Sequence, residues 1–166
     1  MKPKSVLILI GSDSDLSTME EATLALKRFQ ISYEIHIASA HRTPQKVKQL
    51  VQPAQERGFG VIIAGAGMSA HLAGFAAAHS TLPVIGVPLA SGMLAGIDAL
   101  LSTVQMPKGM PVATLGIGLA GAYNAGLLAT QILAIQDNKL QKMLEAYREE
   151  LSQKVEQKDS ELQSKT

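Results

Sequence analysis

The stretch Ser39-Ala40-His41-Arg42-Thr43-Pro44 puts an imidazole and a guanidinium between two hydroxyl-bearing residues. An imidazole, with an ordinary pKa of about 6.5, can give or take a proton near neutral pH. A guanidinium offers phosphate a planar fork of donors. A second polar group, Ser12, Asp13, Ser14 and Asp15, follows Gly11, and a third stretch, Gly65-Ala66-Gly67-Met68-Ser69-Ala70, precedes His71. The hydroxyls of Ser12, Ser14, Ser39 and Thr43, the Arg42 fork and the amides of helix starts can together hold a phosphate. Asp15 would repel that anion and suits a ribose hydroxyl or its own helix end. Taken singly, each of these Ser and Asp residues is more ordinarily a helix cap than a ligand contact.

His36 falls inside an apolar strand pattern and His79 near a helix end, so both read as structural or exposed, whereas His41 and His71 fall on loops. With no Asp or Glu at ligand spacing, the two loop histidines make a poor metal site. Gly65-x-Gly67-x-x-Ala70 matches a loose dinucleotide fingerprint, but it follows the third strand and lacks an acidic residue about 20 positions on. An NAD or flavin site is therefore disfavoured. The chain has no Gly-x-Ser-x-Gly elbow and no phosphate-binding Walker loop.

The elements that must position these groups alternate. Residues 6–10 form an unbroken aliphatic run, the pattern of a strand covered on both faces. Ala22, Ala25, Leu26 and Phe29 recur at helical spacing. A second strand is expected over 33–37. Thr43 is then the expected N-cap, Pro44 the first helical position, and Val47, Leu50, Val51 and Ala54 the buried stripe. Further strands are expected over 61–64, 83–87 and 112–115, with helices over 71–80 and 120–136. The connection over 89–111 holds a short helical turn, and connections of that length tend to be functional.

This alternation predicts a single-domain, flavodoxin-like, doubly wound parallel sheet of about five strands with right-handed crossovers and a C-terminal helical extension. Its expected parts are an α/β catalytic domain over 1–136, a helix over 137–158 packing on a neighbouring subunit, and a frayed tail over 159–166. The stripe Leu140, Leu144, Tyr147, Leu151 and Val155 carries that helix. In a parallel sheet the loops after strands one, two and three open on one edge, where ligands bind.

The 166 residues are 46% hydrophobic with a formal net charge of +1, which fits one packed domain and gives no electrostatic case for nucleic acid. A small-molecule partner is expected. Without cysteine there is no disulfide or thiolate chemistry, and a cytoplasmic setting is compatible. Residues 1–10 read as a strand and not a signal peptide, and the apolar stretch over 112–135 is too interrupted by glycine for a membrane span.

Five ordered motifs between residues 6 and 133 resemble the bacterial PurE family, the N5-carboxyaminoimidazole ribonucleotide mutases of purine synthesis. They are Gly11-Ser12-Asp13-Ser14-Asp15, the 39–44 stretch, Ala64-Gly65-Ala66-Gly67 with Ala70-His71-Leu72, Val104-Gln105-Met106-Pro107, and residues 117–122 with Asn124-Ala125. The resemblance implies a homo-octamer with sites between subunits, no metal and no cofactor. The implied reaction moves a carboxylate from the exocyclic nitrogen of an aminoimidazole ribonucleotide to ring carbon C4. It also implies His41 as the catalytic imidazole, and Ser12, Asp15, Ser39 and Arg42 on the ribose phosphate, with Ser39 and Arg42 at the phosphate and Asp15 at the ribose hydroxyls. Ala66 and Gly67 would lie near the carboxylate, with His71 as a further pocket position.

Met68 stands where the family often has Gly, Leu72-Ala73-Gly74-Phe75 where Leu-Pro-Gly-Met is common, Ala90-Ser91 where Gln-Ser is frequent, and Asp98-Ala99 where Asp-Ser is. The related animal-type carboxylase typically carries Lys-Gly after its loop histidine, whereas Arg42-Thr43 follow His41 here. The competing expectations are carboxylation of the uncarboxylated ribotide by free CO2 and a noncatalytic nucleotide-binding module.

Overall fold

The computed structural model describes residues 5–165. Residues 1–4 of the expected opening segment and Thr166 of the expected tail lie outside them. The aliphatic run becomes β1 (Ser5–Ile10), buried from Val6 onward, and pairs in parallel with β2 (Tyr33–Ile37) on one side and β3 (Phe59–Gly67) on the other. β4 (Val84–Leu89) and the two-residue β5 (Ala113–Thr114) complete a five-stranded sheet in the order β2-β1-β3-β4-β5. That is the flavodoxin-like order, whose direction of winding reverses between β1 and β3.

Helices α1 (Leu16–Arg28) and α5 (Leu119–Ala134) cover one face of the sheet, and α2 (Pro44–Val51) and α3 (Leu72–Ala77) the other. The first face buries Ile8, Ile10, Met19, Leu26, Ile63 and Ile85, and the second buries Leu7, Leu9, Val47, Val51 and Ile62. The small residues of α5 serve close approach: a Cβ at Gly126 would lie 2.6 Å from the carbonyl oxygen of Ala22 in α1. The short turn expected after β4 is the eight-residue helix α4 (Ile97–Val104).

Two differences from the sequence pattern bear on the site. β3 runs on through Gly65, Ala66 and Gly67, expected as loop, because these residues pair with Val87, Pro88 and Leu89 of β4. Small residues lack the side-chain signal of a strand, and the partner strand supplies the order instead. Thr43 precedes α2, and Pro44 opens it, but the Thr43 hydroxyl does not cap it. Its Oγ1 accepts from the Ser39 amide at 2.9 Å and donates to the Ser39 carbonyl at 3.2 Å, closing the 39–43 loop on itself.

The C-terminal helix α6 (Asn138–Gln163) continues past residue 158, where fraying was expected. Asp137 caps it by accepting from the amides of Lys139 and Leu140, and Gln153–Glu149 and Lys154–Glu150 pairs link successive turns. Its first half docks on its own chain: Leu140, Met143, Leu144 and Tyr147 pack against the α1–α5 face. Tyr147 meets Phe29 edge to face at 5.7 Å, Arg28 lies over the Tyr147 ring at 4.6 Å, and Arg28 pairs with Glu150. The stripe thus divides, with Leu151 and Val155 left exposed in the single chain.

Candidate active site

Loops leaving the C-terminal ends of β1, β2, β3 and β4 enclose a cavity of about 700 Å³ at the point where the sheet reverses its winding. Ser12, Asp15, Ser39, His41, Arg42, Ala66, Gly67 and His71 all line it, joined by Ser14, Ser69, Met68 and Ser91. Gly65 does not. It faces the helix layer, where an added Cβ would meet the Met19 sulfur at 2.5 Å, so its small size serves packing. His36, bonded to Glu34 at 3.1 Å, and His79, bonded to the Phe75 carbonyl at 2.9 Å, stand outside the cavity.

The Arg42 guanidinium donates to the Gly11 carbonyl at 2.9 Å, tying the β2 loop to the β1 loop. Ser39 Oγ accepts the Arg42 amide at 3.2 Å and keeps its own proton to donate. Beyond Gly11 a 3₁₀ turn (Asp13–Asp15) leads into α1, and Asp15 Oδ2 accepts the Ser12 amide at 3.0 Å. Burial pushes the Asp15 carboxyl above its ordinary value, against the lowering effects of the Ser12 and Gly11 amides and of Arg42.

The sign of that shift sets a pH dependence. A carboxyl whose folded pKa is raised costs stability once ionised, and the cost fades as pH falls through the folded pKa. Asp15→Asn is therefore expected to be more stable than wild type at pH 7, with the difference shrinking on acidification. Denaturant unfolding of both proteins at a series of pH values checks this. Asp13 and Glu34 shift the other way, each held low first by a side-chain hydrogen bond, to Ser12 and His36 respectively. The comparison with D15N isolates the Asp15 contribution from theirs.

In the same cavity, His41 Nε2 and His71 Nδ1 lie 2.7 Å apart, with the rings edge to face at 4.9 Å between centroids. At that distance one nitrogen donates and the other accepts, so a single proton lies between the two rings. Both imidazoles are exposed to solvent. Neighbouring Met68 adopts a left-handed backbone with φ of 53°, at the position the PurE pattern often gives to glycine. Met68→Gly should stabilise the fold by up to about 1.6 kcal/mol, since the left-handed conformation costs an L-residue about 1–2 kcal/mol and glycine's added unfolded-state freedom offsets about 0.4–1 kcal/mol of that. Urea unfolding measures it, and a loss of stability would contradict it.

Ser91, which the sequence presents only within the Ala90-Ser91 departure from the family pattern, also lines the cavity. Its signal was topological: β4 lies beside β3, so the loop after β4 opens on the same edge as the three loops already counted.

The sheet order and the groups gathered at its reversal point define a flavodoxin-like α/β domain with a guanidinium, several hydroxyls and a paired imidazole in one cavity. The chain belongs to the AIR carboxylase family, whose model matches residues 5–154. It is 53% identical over 148 residues to the N5-carboxyaminoimidazole ribonucleotide mutase of Haemophilus influenzae, covering 89% of this chain and 90% of that protein. To the Bacillus subtilis mutase it is likewise 53% identical over 148 residues, covering 89% and 91%. The crystal structure of Treponema denticola PurE superimposes with a TM-score of 0.85 at 32% identity, covering 96% of this chain and 98% of that one.

Proposed function

We propose that this protein is an N5-carboxyaminoimidazole ribonucleotide mutase, an isomerase of purine biosynthesis. The observation that carries the reading is the gathering of the Arg42 guanidinium and the Ser39 hydroxyl with a hydrogen-bonded imidazole pair in one cavity, in a chain 53% identical to mutases over most of its length. Arg42 and Ser39 hold the phosphate, Ser12 lies beside them at the ribose-phosphate end, Asp15 accepts the ribose hydroxyls, and the five-membered ring extends toward His41. The carboxylate lies against the backbone of Ala66 and Gly67.

The bookkeeping of the reaction needs one mobile proton. The exocyclic N–C bond breaks with its electron pair left on nitrogen, which takes a proton from His41, and CO2 is released beside the ring. C4 attacks the CO2 carbon, and the proton on C4 returns to His41. His71, sharing a proton with His41 Nε2, fixes which nitrogen of His41 carries it. Acid–base help of this kind contributes typically about 10²–10⁴-fold, so confinement of CO2 beside C4 supplies much of the remaining acceleration.

Supplying each ribotide separately tests the reading. Product should form from the N5-carboxylated ribotide without added bicarbonate. Efficient turnover only of the uncarboxylated ribotide with bicarbonate would instead make the protein a CO2-dependent carboxylase, the activity in the family's own description. Binding of a mononucleotide with no turnover of either ribotide would make it a noncatalytic module.

The working form is a cytoplasmic homo-octamer in this reading. Its support is the family resemblance and the apolar side chains of Met93, Leu94, Ile97, Leu101 and Val104, all exposed in the single chain around α4. A second subunit over the exposed imidazoles would also exclude water from the site. Sedimentation of a stable monomer would remove this part of the proposal. No helix among the described residues is long and apolar enough to cross a membrane.

A further inference from the structure

Ser91 follows β4 directly after Ala90 and lines the same cavity as His41 and His71. Its Oγ is buried without a hydrogen-bond partner, the one such side-chain atom among the described residues. A buried hydroxyl left unpaired destabilises a fold, so a position that keeps one calls for an explanation in function. Gly67 fixes where that hydroxyl sits: a Cβ added at residue 67 would lie 2.1 Å from Ser91 Oγ and 3.1 Å from Ser91 Cβ. The absence of a side chain at the end of β3 therefore lets the hydroxyl lie against the Gly67 backbone, in the cavity that Arg42 also lines.

We propose that Ser91 Oγ–H donates a hydrogen bond to the migrating carboxylate and to the CO2 it becomes, holding it beside C4. The assignment rests on the mutase reading above. With the phosphate at Arg42 and Ser39 and the ribose at Asp15, the carboxylate-bearing end of the substrate points toward Gly67. A hydroxyl there gains its missing partner when substrate binds. Ser91 exchanges no proton in the reaction. The N–C bond still breaks and the C4–C bond still forms with His41 moving the one proton, while Ser91 keeps CO2 from escaping between those two events.

The test is Ser91→Ala in the full chain, assayed with the N5-carboxylated ribotide. Because it removes an unpaired buried hydroxyl, the variant should melt no lower than wild type. A hydrogen bond to a charged group is worth about tenfold to a hundredfold in rate or affinity, so kcat/KM for product should fall by that factor. A larger share of consumed substrate should also end as free aminoimidazole ribonucleotide and CO2. A loss of CO2 to solution is a signature that a purely structural serine would not produce. An active wild type whose kcat/KM and product partition are unchanged in S91A would overturn this assignment alone. So would a rate loss that tracks a lowered melting temperature with an unchanged partition. A wild-type protein that turns over neither ribotide would overturn the mutase reading and this assignment with it.

Discussion

His41→Asn is expected to lower kcat by about 10²–10⁴-fold, the usual contribution of positioned acid–base catalysis, while KM and the melting temperature stay near wild type. The separation follows from the geometry. His41 is exposed and its one side-chain hydrogen bond goes to His71, so the fold loses little when the ring is replaced. The groups assigned to phosphate and ribose, Arg42, Ser39 and Asp15, are held by bonds to Gly11, the Arg42 amide and Ser12, none of which involves His41. Asparagine preserves polarity and hydrogen bonding but cannot carry a proton between nitrogen and carbon. Steady-state kinetics beside a thermal melt decide the matter: a His41→Asn protein that folds and turns over at the wild-type rate would remove His41 from the proton path.

Gly121→Ala should be the most damaging single methyl addition. Gly121 lies in the first turn of α5, and a Cβ there would sit 1.6 Å from the carbonyl oxygen and 2.5 Å from the carbonyl carbon of Gly116. Both atoms are backbone, so no side-chain rotation relieves the overlap; either α5 or the 115–118 loop must shift. That loop is anchored, since the Leu115 amide donates to the Gly86 carbonyl and the Gly118 amide to the Pro88 carbonyl. Overpacking costs about 1–3 kcal/mol and occasionally more, and contact with anchored backbone belongs at the upper end. At about 2–4 °C per kcal/mol for a chain of this size, a cost of about 3 kcal/mol corresponds to a fall of roughly 6–12 °C at equal protein concentration. Gly65→Ala, whose obstacle is the flexible Met19 side chain, should cost less than Gly121→Ala. An order reversed between these two variants would contradict the packing described.

How much of this was legible in the sequence depended on how local the signal was. The aliphatic run of β1, the boundaries of β2 at 33–37 and the start of α2 at Pro44 follow from neighbouring residues, and the structure reproduces them. The end of β3 did not, because Gly65, Ala66 and Gly67 become strand only by pairing with β4, some 22 residues away. Thr43 looked like a cap because its type and place allow it, but the competing bonds to Ser39 win locally. The first half of α6 docks on its own chain through Phe29 and Arg28, contacts more than a hundred positions apart in sequence that no helical period announces.

The candidate site divides the same way. Residue types and loop positions brought His41, Arg42, Ser39, Ser12 and Asp15 forward together, because each lies where a parallel sheet presents ligands. The 2.7 Å approach of His41 and His71 and the burial of Ser91 beside Gly67 depend on three loops meeting in space, which sequence spacing does not encode.

The central claim is that the carboxylate moves within one bound molecule. It is tested most directly by following the label when the N5-carboxylated ribotide, carrying ¹³C in its carboxylate, is converted in buffer containing excess unlabelled bicarbonate and carbonic anhydrase. The account predicts product at C4 that retains the ¹³C. Product carrying the unlabelled carbon of the solvent pool would contradict it, since CO2 would then enter the site from outside.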